Sequence, residues 1–520
     1  MKKKLQIVIG LFEARPWLLY LFVFLMFGVV RLSLLPWNPI GLPDDHDEHS
    51  YILQAETFAE GNIANPTPPL WEHFESFHIL MTPSYSSKYP PGQSIFLFLG
   101  IKLFGHAWYG VLLSCMLMTA AIVWMIHGYK STKWALTIGI FIVLRFSLWN
   151  YWSSSYWGGA VAALGGALLF GALPRLTGEK RMHVAVASAC LGLGLAILSQ
   201  SRPFEGIILS IIPMAYFIHL VFQSARNRQY RMLKYLLVPV SLVMVLNFAF
   251  TAYFNFKITG EYLKMPYQLY GEQYGVQALL LVLNNKNEIP EYYHTVLAKH
   301  HNGWEVVKIN TIKDYLSLKR KHFLRFIRYF YYWPLLIPLT IFFFEKKSIR
   351  IPLWSFVLLC AMMMLYPWFA PHYFAPLLSV YYLLLINSIN FLIQHNNLLI
   401  RRISRVTIPI CLLFTFIDSN YFNRKHPNYI NGTEKYMVQK QQIIDRLKQT
   451  ESKHLILVKY SEDHLINEEW VYNEPNLGES QLIWARYMNE QKNQQLKDYY
   501  RSRTAWLLEP DPENSGLQKY

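Results

Sequence analysis

Apolar stretches of bilayer-crossing length recur along this chain, and they settle its class of fold before any motif is weighed. Trp17–Val30, Ala107–His127 and Tyr156–Leu173 are near or above the length that spans the hydrocarbon core, and the last carries no charge. Many such runs make a polytopic membrane protein. Composition agrees: of 520 residues, 53% are hydrophobic and only 16% charged, where a soluble domain carries about a quarter. The first run is too long for a removable signal peptide and lacks a small-residue cleavage site.

The formal net charge of +16 invites a nucleic-acid partner, but its distribution argues against one. Lys and Arg collect in short turns between apolar runs, at Met1–Lys4, Lys130–Lys133, Arg175–Arg181, Arg226–Lys234, Lys346–Arg350 and Arg401–Arg405. Short basic turns mark the cytoplasmic side and orient the chain. Membrane lipid is the expected partner of this face, and no nucleic acid is. The four cysteines, Cys115, Cys190, Cys360 and Cys411, fall inside apolar runs and imply no disulfide framework.

With those turns inside, the N-terminus is cytoplasmic and residues 17–34 cross outward. Residues 35–91 form a large first external loop, and 92–127 return the chain, with Gln93–Phe104 as a short re-entrant or interfacial piece before a full helix. Further crossings are expected at 134–150, 156–174, 184–200, 205–222, 235–256, 326–344, 351–368, 373–393 and 403–418. The expectation is a mainly α, polytopic membrane helix bundle of about 11–13 helices. It forms one domain over residues 1–418, with external loops at 35–91 and 257–325. Gly159, Ala163, Ala167 and Gly171 repeat every four residues, a face suited to close helix packing. Residues 419–520 read as a small external α/β domain: helix 433–449, a strand in "HLILVKY", helix 479–499 and a strand in "TAWLLEP".

The outer face carries the chemistry. Residues 35–91 hold eight acids and one base, Lys88, an imbalance no connecting loop needs. The run "DDHDEH", Asp44 to His49, precedes a helical stripe through Ile52, Ala55 and Ala59. Acids are favoured there by the positive end of the helix dipole. Asp44, Asp45, Asp47 and Glu48 are therefore either a solvated helix cap or a reactive group, and composition weighs the two evenly. A metal reading uses His46, His49, Asp47 and Glu48, but closed zinc sites draw on wider ligand spacing, so no resident metal is expected beyond a transient divalent cation. In "SKYPPGQ" the two prolines stiffen the entry to the membrane and hold Lys88 at headgroup level, where it meets a lipid phosphate or simply snorkels. "SRPFEG" sets Arg202 and Glu205 in a short turn between apolar helices, where ionisable groups are functional or paired with one another. "APHYFAP" puts His372 and Tyr373 at a helix junction, where a structural histidine is the simpler reading. Lys319, Arg320, Lys321, Arg325 and Arg328 form a basic amphipathic patch suited to lipid headgroups.

"DEHSYILQAETFAEG" followed by "KYPPGQSIFLFLGIKLFG" resembles the first external loop of the GT-C superfamily of membrane glycosyltransferases. The similarity is to the bacterial aminoarabinose-transferase and protein O-mannosyltransferase type. It implies a catalytic Asp at Asp47 with Glu48 beside it, and a lipid-phosphate contact at Lys88. Tyr89 departs from the family pattern, standing between that lysine and the prolines. The resemblance further implies an inverting transfer from a polyprenyl-phosphate sugar to a hydroxyl acceptor of the cell envelope. The place would be the outer face of a bacterial cytoplasmic (inner) membrane, with the C-terminal domain periplasmic. Asp47 would be the base and Asp44 or Asp45 its substitutes, and no cofactor would be needed beyond the lipid-linked sugar. Arg202 and Glu205, with Tyr89, His372 and Tyr373, are added as substrate contacts from topology alone. Two rivals stand beside this reading. A lipid or lipid-linked-sugar flippase would carry charges within its helices and paired broken helices. A non-catalytic scaffold would tolerate the loss of Asp47.

Overall fold

A computed structural model describes residues 2–148, 150–178, 180–275, 290–304, 309, 311–330, 347–407, 409–410, 429–430, 433–511 and 516–520. It is a polytopic helical membrane protein. Among the described residues, six helical stretches are long and apolar enough to cross a membrane: Pro16–Ser33, Trp108–Tyr129, Arg181–Ser201, Pro203–Arg226, Tyr230–Thr259 and Pro371–Ile393. Three shorter apolar stretches, Gly92–Phe104, Ala160–Arg175 and Ile349–Met363, pack among them. The crossings expected at 326–344 and 403–418, and Cys411, reach outside the described residues.

Small residues let the bundle close. The helix Ala160–Ala172 is buried on nearly every face. A Cβ on Gly166 would stand 1.8 Å from the Pro376 carbonyl oxygen, and one on Gly171 would meet the Trp124 ring at 2.3 Å. Gly110 brings Trp108–Tyr129 against the short helix Gly92–Phe104 in the same way, with the Phe96 carbonyl 1.9 Å from where its Cβ would be. The outer helices show the converse pattern. Ile207, Ile211, Phe222, Leu242 and Val245 stay largely exposed, the apolar surface a helix turns to lipid.

The first loop is folded, not merely connecting. Its helix, His46–Ala59, is opened by a capping box: the Asp45 side chain accepts from the Asp47 N–H at 3.1 Å, and Glu48 Oε2 accepts from the Asp45 N–H at 3.4 Å, with the Asp44 N–H donating to the same oxygen at 2.9 Å. Ser84–Ser87 then pairs antiparallel with both Asn65–Pro66 and Ile79–Leu80. That small sheet delivers His78 and Lys88 to its ends.

The C-terminal unit is a four-stranded sheet in the order Leu482–Arg486, His454–Val458, Thr504–Leu508, Leu517–Lys519, the first three parallel and the last antiparallel. Helices Lys435–Lys448 and Glu490–Tyr499 accompany it. The stretch expected as one helix over 479–499 divides into a strand, Leu482–Arg486, and that second helix. "LIWAR" is buried on both sides, as a strand of a covered parallel sheet is, and Asn489 starts the helix by accepting from the Lys492 N–H at 2.9 Å. One face of the sheet (Leu455, Leu457, Ile483, Ala485) shares a core with Leu53, Phe74, Ile79, Met81 and Tyr85 of the first loop. The other face packs on Tyr436, Met437 and Leu447 of the unit's own helix.

Candidate active site

A cavity of about 940 Å³ opens at the end of the bundle that carries the first loop. Its walls come from separate parts of the chain. The start of the loop helix gives Asp44, Asp45, His46 and Asp47, and the small sheet gives His78, Lys88 and Tyr89. The turn between two membrane helices gives Arg202 and Glu205, and the Pro371–Leu377 segment gives His372 and Tyr373. Tyr267, Tyr366, Trp157 and Phe369 add aromatic surface.

Asp47 stands at the centre of the polar wall. Its Oδ1 lies 2.7 Å from His78 Nδ1 and accepts a hydrogen bond from the Tyr89 hydroxyl, which itself lies 3.0 Å from the same imidazole nitrogen. The side chain keeps 19% of its surface accessible. Burial acts to raise its pKa, but the His78 ring, Lys88 and the Tyr89 hydroxyl together outweigh burial and hold the carboxyl well below the usual range. Asp45 behaves oppositely. Burial, with Asp47 beside it, pushes that carboxyl up to about 7. Two nearby acids thus differ in protonation because the His78 ring is bonded to Asp47, whereas at Asp45 burial and the neighbouring acids outweigh the pull of that ring.

Lys88 is not a snorkelling lysine. It is 3% exposed, with its ammonium 4.5 Å from the ring centre of Tyr270 and 5.2–5.3 Å from those of Tyr89 and Tyr267. Arg202 lies 4.9 Å over the Tyr373 ring and 3.9 Å from Glu205. His372 is buried, 3.2 Å from the Tyr151 hydroxyl through Nδ1 and edge-on to Trp157.

The cavity gathers Asp44, Asp45, Asp47, Lys88, Tyr89, Arg202, Glu205, His372 and Tyr373. Glu48 is not among its lining. The Glu48 carboxylate is committed to backbone, accepting from Tyr156 N–H at 2.6 Å on one oxygen and from Asp44 and Asp45 on the other. Here the capping reading of the acidic run holds for Asp45 and Glu48, whereas Asp47 faces the cavity. The basic patch divides as well. Leu318, His322 and Arg325 share a helix face that lines the cavity, while Lys319 is buried and donates to the Tyr366 carbonyl at 2.5 Å. The Arg328 side chain lies outside the described residues. His78 was not anticipated: "SFHIL" offers no charge pattern, and only the strand pairing brings His78 to Asp47. Among the described residues no group of three or more His, Cys, Asp or Glu is placed to hold a metal ion.

No protein-family model and no curated protein matches the chain. Solved structures do. ArnT from Cupriavidus metallidurans in its apo state aligns over 96% of this chain and 94% of its own at 12% identity, with a TM-score of 0.51. The same protein bound to undecaprenyl phosphate gives 12% identity over the same shares and a TM-score of 0.46. The apo oligosaccharyltransferase of Archaeoglobus fulgidus aligns over 84% of this chain at 10% identity, TM-score 0.47, and this chain spans 62% of its length. The fold is therefore the one seen in ArnT.

Proposed function

From the fold shared with ArnT and the cavity built here, we propose that the protein is an inverting glycosyltransferase. It takes a sugar from a polyprenyl-phosphate donor and passes it to a hydroxyl acceptor of the cell envelope, at the outer face of the bacterial cytoplasmic membrane. One observation carries the reading: a partly accessible carboxylate, Asp47, and two cations set among aromatic rings, Lys88 and Arg202, line one cavity at the ends of membrane helices.

The chemistry follows from what each group can do. The acceptor hydroxyl gives its proton to Asp47 as its oxygen attacks the anomeric carbon from the side opposite the phosphate. The bond from that carbon to the phosphate oxygen breaks, and the leaving lipid phosphate gains charge. Lys88 and Arg202 are fixed before the reaction, so they stabilise that charge without reorganising. A general base works best when its pKa lies near the operating pH, and Asp47 is held low partly by Lys88. A phosphate seated against Lys88 offsets that pull, so the base strengthens once the donor is bound. His78 and Tyr89 orient the carboxylate. Arg325, on the helix Ile312–Phe330, adds a third cation to the cavity wall.

The test uses purified protein, a panel of labelled polyprenyl-phosphate sugars and an envelope acceptor fraction. Transfer with inversion at the anomeric carbon is the expected result. Retention of configuration, or binding of every donor without sugar release, contradicts the proposal, and the second outcome favours a flippase or scaffold.

A further inference from the structure

The C-terminal unit contributes almost nothing to the cavity directly, yet it grips the helix that carries Asp47. Tyr472, 8% exposed, is the point of contact. Its hydroxyl lies 2.8 Å from His46 Nδ1, and its ring stacks on His49 with centroids 3.9 Å apart and planes 10° from parallel. Lys440 of the same unit sets its ammonium 5.6 Å from the Tyr472 ring centre. One residue earlier in the chain, the Val471 carbonyl accepts from the Ser76 hydroxyl of the first loop. The Tyr436 hydroxyl donates to the Asp44 carbonyl at 3.2 Å. Residues 44, 46 and 49 of the loop are thus held from one side.

His46 and His49 are three residues apart in the first turn of the helix His46–Ala59 and share a face. Asp47 lies about 100° around from His46 and so presents the neighbouring face to the cavity. Its carboxylate is held by His78 and Tyr89, whereas its backbone is held by a turn that Tyr472 fixes through two ring partners. Rotating or lifting that turn would carry the carboxylate away from the reacting hydroxyl. An N-terminal turn is otherwise the least constrained part of a helix, because its N–H groups lack intrahelical partners.

We propose that Tyr472 is a positioning residue for the transfer reaction, and that the C-terminal unit acts through it on His46 and His49 to set the place of Asp47. The proposal rests on the reading of Asp47 as the base. It assigns the C-terminal unit a part in catalysis without placing it on the substrate.

The test compares the full-length parent with D47N, H46A, Y472F, Y472A and H46A/Y472F, using a labelled polyprenyl-phosphate sugar and hydrogen exchange over residues 43–50. Y472F keeps the stacked ring and loses the bond to His46, so its kcat should fall about tenfold, with donor affinity and melting temperature at parent values. Y472A should fall about a hundredfold, the loss a ~1 Å misplacement brings, and exchange over 43–50 should rise. Y472F added to H46A should cost nothing more, because both remove one interaction. A parent that turns over no donor, or a D47N protein as fast as the parent, overturns the transferase reading. An inactive D47N with both Tyr472 variants at the parent kcat overturns the positioning role alone. So does unchanged exchange in Y472A.

Discussion

Asp47 and Lys88 were visible in the sequence because both break a local pattern: acids crowd a short loop, and one lysine stands before two prolines. Neither pattern says which acid is paired with a base at the cavity. That is decided by His78, which reaches Asp47 Oδ1 at 2.7 Å from a strand end thirty-one residues away in sequence. Removing the imbalance of partners should therefore be measurable. The His78 ring is the strongest influence lowering the Asp47 carboxyl, so H78N should lift that carboxyl towards its ordinary range. A base must be ionised to work, and the acid limb of the transfer rate should accordingly move to higher pH in H78N. A pH profile shows this directly, and an unmoved acid limb would mean that His78 does not set the charge of Asp47.

The elements were legible where periodicity or capping is strong. The loop helix was expected to carry the acids in its first turn, and its start at His46 is fixed by the Asp45–Glu48 box. Asn can replace Asp as an N-cap, whereas Ala cannot, so D45A should cost about 1 kcal/mol in helix stability and D45N far less. Asp45 adds a pH dependence of known sign. Its carboxyl is raised from 3.8 to about 7 by burial and by Asp47, so the folded state holds a proton that the unfolded chain has lost. Parent stability should fall as pH rises from about 4 to 7, because the unfolded state binds fewer protons there. D45N should not show that fall, and melting temperatures at pH 5 and pH 8 make the comparison. The strand Leu482–Arg486 was missed for a physical reason. A short apolar run inside a polar stretch has no period of its own, and its strand character comes from pairing with His454–Val458.

At the scale of the whole molecule, the bundle was readable from hydropathy and charge, but the joint between membrane and C-terminal parts was not. That joint is made by residues far apart in sequence. Arg486 donates to the Glu75 carbonyl of the first loop at 2.7 Å and to Glu469 of its own unit at 2.7 Å, with both charges buried. Breaking one partner of a buried pair leaves the other uncompensated, so R486M should lose about 3–5 kcal/mol. The loss is read as a lowered melting temperature, and a parent-like melt would show the pair to be dispensable. The cavity too belongs to this scale, since its walls come from the first loop, two membrane-helix junctions and the helix Ile312–Phe330. No window of sequence contains it.

The most direct measurement is sugar release from a labelled polyprenyl-phosphate donor by the parent and by D47N, after both are shown to fold and to bind the lipid. Asn keeps the shape of the side chain and removes its capacity to take a proton. The account predicts release by the parent that D47N loses while lipid binding is retained. Equal release by the two proteins would contradict it and clear Asp47 of the role of base.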